Sequence, residues 1–179
     1  MKPKLMIITA MTLFGSIGLF VRAIDLSSGA IALYRGFLGG VFLLLVSLAL
    51  KRKFDWQSIR RNFLILAASG AAIGFNWIFL FQAYKYTSIA NATLSYYFAP
   101  VFVVLLSPFI LKERLSLLRF CTVAAAVVGL FLVVGFDAEP GRELFIGIGY
   151  GLLAAALYSS VMILNKFIKN LNGLDSTLL

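Results

Sequence analysis

The charges of this chain are gathered into short islands, and between the islands lie runs of roughly 18 to 25 residues that are almost wholly apolar. At 1.5 Å of rise per residue, a helical run of that length crosses a hydrocarbon layer about 30 Å thick. No other feature restricts the fold as severely. Inside such a layer the chain must satisfy its own backbone N–H and C=O groups, which leaves only helices and closed barrels. A barrel needs short strands of alternating polarity, and these runs do not alternate. The expectation is an all-α, polytopic transmembrane helix bundle. With 61% hydrophobic and 13% charged residues in 179, the composition exceeds what the core of a soluble domain of this size uses.

Reading the islands as loops predicts six transmembrane helices, at 5–22, 30–50, 62–84, 90–111, 116–135 and 144–168. The first has the basic start and apolar middle of a secretory signal, but no small-residue cleavage site follows, so it is read as a retained helix. FDWQSIRR (54–61) is expected at the membrane interface, with Phe54 and Trp56 at headgroup level and Arg60 and Arg61 toward anionic lipid.

If the N-terminus is cytoplasmic, twelve of the 16 basic residues fall on the inner side, in groups beginning at Lys2, Lys51, Lys112 and Lys166. Arg22, Lys85 and Arg142 fall outside and Arg35 within a span. The bias has one sign at every crossing, which predicts one fixed topology and argues against dual-topology assembly. The expectation is a multi-pass protein of the plasma (inner) membrane, its N-terminus cytoplasmic. The net charge of +9 then reports orientation and gives no support to nucleic-acid binding.

Histidine is absent and Cys121 is the single cysteine. There is no metal-ligand cluster, phosphate loop or nucleophile–base pair, so the sequence argues against an enzyme and implies no cofactor or metal. All seven acids lie in loops or at span ends, so none is placed as a membrane-buried proton carrier.

The candidate substrate-binding residues are the polar and aromatic groups inside the spans. Arg35 sits about five residues into the second span. There it either snorkels to the interface or turns inward to pair with an anionic group such as a substrate carboxylate. Ser16 shares a helix face with Thr9 and Thr12; Asn76, Phe79 and Gln82 lie in the third span, Ser95 and Tyr96 in the fourth. Helix-to-helix hydrogen bonding explains any one of them equally well, but together they outline a mixed polar and aromatic cavity. Phe75, Trp77, Tyr84 and Tyr97 are further candidates for its walls. Pro100 removes the N–H that would bond the Tyr96 carbonyl and is expected to bend the fourth helix near its middle, as a hinge or a static kink. Pro108, about one turn from the helix end, reads as structural. Gly36 and Gly40, Gly70 and Gly74, and Gly147 and Gly151 have the spacing that permits close helix contact, within the bundle or between copies.

Sliding the chain on itself by 144 residues aligns LFGSIGLFVRAIDLSSGAI (13–31) with LYSSVMILNKFIKNLNGLD (157–175). Leu13, Ser16, Ile24 and Gly29 meet identical residues, Phe14 meets Tyr158, and Arg22 meets Lys166. The offset spans five helices, and an odd number of crossings turns the second copy over, so the match implies an inverted-topology repeat. The expected division is a first five-helix repeat at 1–143 and the start of a second at 144–179, whose complete copy would run to about residue 288.

The segment FQAYKYTSIANATLSYYFAPVFVVLLSPFILKERLS resembles the third and fourth helices of EamA-type transporters, in the drug/metabolite transporter superfamily. The matching positions are Ala83, Tyr86, Thr87, Ala90, Ala92, Pro100, Glu113 and Arg114, with Arg35 in IALYRGFL. Tyr84 stands where that family usually has Leu, Lys112 where it has Gly, and Pro108 is an addition. The resemblance implies a ten-helix secondary carrier, its substrate a small molecule such as an amino acid or drug that it exports or exchanges. Glu113, with Lys112 and Arg114, is expected to fix the cytoplasmic end of the fourth helix, the alternative being a gating ion pair. A structural or assembly subunit, held together by the glycine pairs, is the alternative; the sequence does not set an oligomeric state.

Overall fold

The structure, a computed structural model, describes residues 3–51, 56–110, 112, 116–134 and 141–168. Phe54, Glu113 and Arg114 lie outside the described residues. Among those described there is no strand, and seven helices follow in order: α1 (Pro3–Ala23), α2 (Ser28–Ala49), α3 (Trp56–Tyr86), α4 (Ile89–Tyr96), α5 (Ala99–Ile110), α6 (Leu117–Val134) and α7 (Arg142–Asn165). With α4 and α5 taken as one span, five are long and apolar enough to cross a membrane, and α6 is a shorter apolar helix. The expected helical bundle is therefore present.

Hydroxyl caps and left-handed lysines set several boundaries. Ser27 Oγ accepts the N–H of Ala30 at 3.2 Å to start α2, and Ser88 Oγ accepts that of Asn91 at 3.1 Å to start α4, each satisfying an N–H that has no partner inside the helix. At the opposite end of α2 the chain turns out through Lys51, at φ 47°, and after α5 through Lys112, at φ 55°. Both lie in the left-handed region that glycine enters most easily.

Two elements differ in detail from the sequence reading. The interface segment continues directly into the third span, so α3 has 31 residues and is about 46 Å long. The fourth span does not bend at Pro100 but breaks before it. Tyr97 N–H still reaches Thr93 O at 2.9 Å, Phe98 N–H tightens to Ser95 O at 3.2 Å, and the helix restarts at Ala99 with Pro100 exposed in its first turn. A proline is well suited there, because first-turn N–H groups have no helical acceptor and its φ is already helical.

The core is organised by α7, which runs antiparallel along α3 and also touches α4 and α5. Gly147 lies against Thr87, Asn76 Nδ2 donates to Ala154 O at 2.6 Å, and Ser69 Oγ donates to Asn165 Oδ1 at 3.3 Å, marking three levels of one seam. The backbones approach closely because the residues between them are small: a Cβ on Gly147 would lie 2.6 Å from Thr87 Cβ, and one on Gly151 2.6 Å from Ser95 Cβ. Ala83, Ala92, Ala154 and Ala155 are fully buried beside them. Of the three glycine pairs, only this one is in contact among the described residues. Gly36, Gly40, Gly70 and Gly74 have no atom within 4 Å of where a Cβ would stand.

Among the described residues, α1 is buried against the bundle near its C-terminal end. Gly18 packs on Ile89, Val21 is buried, and the Arg22 guanidinium donates to the carbonyls of Tyr84, at 2.9 Å, and Thr87. Lys85 answers from α3 by donating to Leu26 O in the α1–α2 loop. Arg22 thus bonds carbonyls that the end of α3 leaves without helical partners, where the helix dipole also favours a cation.

Candidate functional site

The half-buried Arg35 enters from α2 and lies over two aromatic faces of α3, with its guanidinium carbon 4.1 Å from the Trp77 ring centre and 5.9 Å from that of Phe81. A guanidinium within about 6 Å of a ring face is attracted by the ring quadrupole. Residues 77, 81 and 84 follow at intervals of four and three, so Tyr84 shares the face of α3 that carries both rings. Among the described residues, no carboxylate pairs with Arg35.

Phenols gather beside it. Tyr84 Oη stands 3.5 Å from Thr93 Oγ1 of α4. Tyr96, at the last turn of α4, stacks obliquely on Tyr158 of α7 with ring centres 5.5 Å apart, and on Tyr97 at 6.3 Å. Tyr96 is also within electrostatic range of the Asn76 side chain, of Tyr84 and of Arg35. The break after α4 places Tyr96 at a helix terminus. Four elements therefore converge: a cation from α2, an indole and a phenol from α3, a phenol from α4 and one from α7. Asn76 is fully buried, and among the described residues its Oδ1 has no hydrogen-bond partner although its Nδ2 does. Such an acceptor costs free energy unless another group supplies a donor.

Of the eight residues singled out in the sequence, Arg35, Asn76 and Tyr96 come together. Phe79 lies on a neighbouring face of α3, stacked on Tyr150 of α7 with ring centres 6.0 Å apart. Gln82 Oε1 accepts from Ser28 Oγ at 2.7 Å, tying the start of α2 to α3. Ser95 is fully buried against Gly151, with its hydroxyl donating to Asn91 O at 2.7 Å, so it belongs to the α4–α7 seam. Ser16 donates to Leu13 O at 2.8 Å and lies about 160° around α1 from Gly18, away from the bundle. Pro100 follows the break that ends beside Tyr96. Phe75 and Tyr97 are exposed. Tyr158 is the member that sequence reasoning missed as a site residue, because only the return of α7 onto α3 and α4 brings it to Tyr96.

A second feature shares Arg35. An open groove of about 380 Å³ is lined by Ile24, Leu26, Ile31, Tyr34, Arg35 and Leu38. Apart from Arg35 and Tyr34 its walls are aliphatic, so any charged group in it has one cation to meet.

A bundle of apolar helices, five of them long enough to cross a membrane, is the architecture of a polytopic membrane protein. Comparison with known proteins makes the assignment specific: residues 1–135 match the EamA-like transporter family, and the chain belongs to that family. It is 30% identical over 174 residues to the uncharacterized transporter YxxF of Bacillus subtilis, covering 96% of this chain and 56% of that protein. It is 31% identical over 126 residues to an uncharacterized transporter of Pseudomonas aeruginosa, covering 68% of this chain and 42% of that one. A third, from Vibrio cholerae, is 27% identical over 157 residues, with 84% and 51% covered. The chain thus spans about half the length of the curated relatives it matches. No solved structure matches it.

Proposed function

We propose that the chain forms the first five-helix repeat and the opening of the second in a ten-helix secondary carrier. The carrier exports or exchanges small metabolites such as amino acids or drugs across the plasma (inner) membrane, and its N-terminus is cytoplasmic. The observation that carries this reading is Arg35: a guanidinium held over Trp77 inside a span, faced by phenols and without a carboxylate among the described residues. A charge within a span is costly unless it reaches the interface, and in membrane proteins charges that face the bundle interior line substrate paths. Its geometry suits a substrate carboxylate, which accepts two parallel N–H bonds from a guanidinium fork. Tyr84, Tyr96 and Tyr158 supply neutral hydroxyls and ring faces for the rest of a small molecule. The relatives' half-length coverage supports a second repeat, and the break beside Tyr96, with Pro100 behind it, offers a place for the fourth span to change shape.

The test is transport in vesicles loaded with a panel of amino acids and their methyl esters, with the complete carrier, Arg35→Ala and Tyr96→Phe. Loss of a charge-assisted bond predicts a weakening of apparent affinity by about 10- to 100-fold for the acids in Arg35→Ala, with the esters little changed. Unchanged kinetics in both variants would remove these residues from the binding site.

A further inference from the structure

Arg35 borders two different surroundings. On one side phenols gather; on the other it forms part of the groove of about 380 Å³, whose remaining walls are Ile24, Leu26, Ile31, Tyr34 and Leu38. Residues 31, 35 and 38 follow at intervals of four and three, so they share one face of α2. Ile24 and Leu26 come from the connection before α2, and that connection is tied down. Leu26 N–H donates to Ile24 O at 2.9 Å, Lys85 Nζ donates to Leu26 O, and Ser27 caps α2. Arg22 and Lys85, the other cations at this end, are already bonded to carbonyls. Asp25 is exposed and is not part of the groove wall. Among the described residues, Arg35 is therefore the charge that the groove presents.

We infer that the groove holds the tail of an aliphatic monocarboxylate whose head is taken by Arg35, so that acids of this shape are ligands of the carrier. This rests on the reading of Arg35 as the receiver of a carboxylate, and it narrows the substrate class. The chemistry is complementary: a guanidinium fork for two carboxylate oxygens, and aliphatic walls for the chain. Among the described residues no carboxylate lines the groove, so an amine would meet only a like charge there. The volume falls within the range of about 300–1,000 Å³ usual for small-molecule sites. The order of the groups argues against a membrane lipid as the occupant. Ser28 bonds Gln82 at the start of α2, and Trp77, under the guanidinium, lies five residues, about 7.5 Å, further into the bundle along α3. Ile24, Leu26 and Ile31 lie between that charge and the membrane surface at which α2 begins. A lipid of that leaflet has the reverse order, with its head at the surface and its chains inward. A small acid that enters head first fits it.

Trp77 is a built-in reporter, since the guanidinium stands 4.1 Å from its ring centre. The experiment uses the complete carrier in phosphatidylcholine nanodiscs, with every tryptophan except Trp77 replaced by phenylalanine, and follows Trp77 emission during titration with butanoate, hexanoate, octanoate and octanol. The expected result is a saturable change with the three acids and none with octanol, the affinity rising about fourfold per added methylene. Arg35→Gln should weaken octanoate by about 10- to 100-fold. Leu26→Asn, at an exposed position whose backbone tie to Lys85 is kept, should weaken octanoate by about five- to tenfold and leave butanoate nearly unchanged. An equal response to octanol, or octanoate binding that survives Arg35→Gln, overturns the inference. So does a loss in Leu26→Asn that is the same for butanoate and octanoate. If discs of phosphatidylglycerol alone reproduce the Trp77 change and block octanoate, a phospholipid is the occupant and the inference is equally overturned. Binding is read without transport. Octanoate binding in a protein that moves no acid supports the groove and removes the transport reading, whereas amino-acid transport that depends on Arg35 without octanoate binding does the reverse.

Discussion

Gly151→Ala isolates the contact on which the bundle depends. The added methyl carbon would stand 2.6 Å from Ser95 Cβ and 3.2 Å from Ala92 O. Carbon–carbon contacts are most favourable at about 3.5–4.0 Å, so α7 and α4 must part locally by about 1 Å. No rotamer change relieves the overlap, since Cβ is fixed to the backbone and Ser95 is fully buried. Overpacking of this kind costs about 1–3 kcal/mol, against about 0.5–1 kcal/mol gained when glycine becomes alanine within a helix. The net expectation is a loss of up to about 2.5 kcal/mol by that difference. Gly70→Ala provides the opposite sign: with no atom within 4 Å, only the helix term operates, and the protein gains about 0.5–1 kcal/mol. Unfolding of the purified protein by titration of mixed micelles with a denaturing detergent, followed by circular dichroism, measures both. Equal shifts for the two variants, or a gain for Gly151→Ala, would refute the close seat of α7.

Arg22→Met removes the donor to the Tyr84 and Thr87 carbonyls and is expected to lower stability in the same assay by about 1.5–3 kcal/mol, with Arg22→Lys intermediate because an ammonium lacks the fork that spans two carbonyls. Lys112→Gly is expected to stabilise by about 0.5–1 kcal/mol, since φ 55° strains a side chain more than the unfolded-state entropy of glycine costs; a loss of stability would contradict that balance. Pro100→Ala restores an N–H that Tyr96 O can accept, so the break at Tyr97 and Phe98 should close in part. Hydrogen exchange would then show slowed amides from 97 to 100, and amides as fast as a loop's would show that the break does not depend on proline.

The helices were legible because the membrane imposes one rule on every span and charges reveal where it stops. α3 extends past its apolar run at the N-terminal side because WQSIRR contains nothing that ends a helix, and polarity alone does not. The resemblance of 81–116 to EamA-type transporters pointed to the family through local spacing, and the family match agrees with it. What remained illegible is non-local. Three glycine pairs look alike in the sequence, and only the partner brought by the fold distinguishes Gly147 and Gly151 from the rest. Pro100 shows which carbonyl loses its bond, but not that two residues before it leave the helix. Arg35, Asn76 and Tyr96 could be chosen as polar groups in apolar runs, whereas Tyr158 joins them only through a contact 62 residues away in sequence from Tyr96.

The seam between α3 and α7 also bears on how such a protein is made. The proposed repeat boundary near residue 143 precedes α7, yet Asn76 donates to Ala154 O, and Ala92 and Ser95 lie against Gly151, both beyond that boundary. The proposed repeat and the packed core are therefore offset by one helix. During synthesis, the side of α3 and α4 that meets α7 stays uncovered by it until α7 has left the ribosome. A ribosomal pause after residue 143 would prolong that stage, and a break in the chain there would divide a folding core instead of separating two domains.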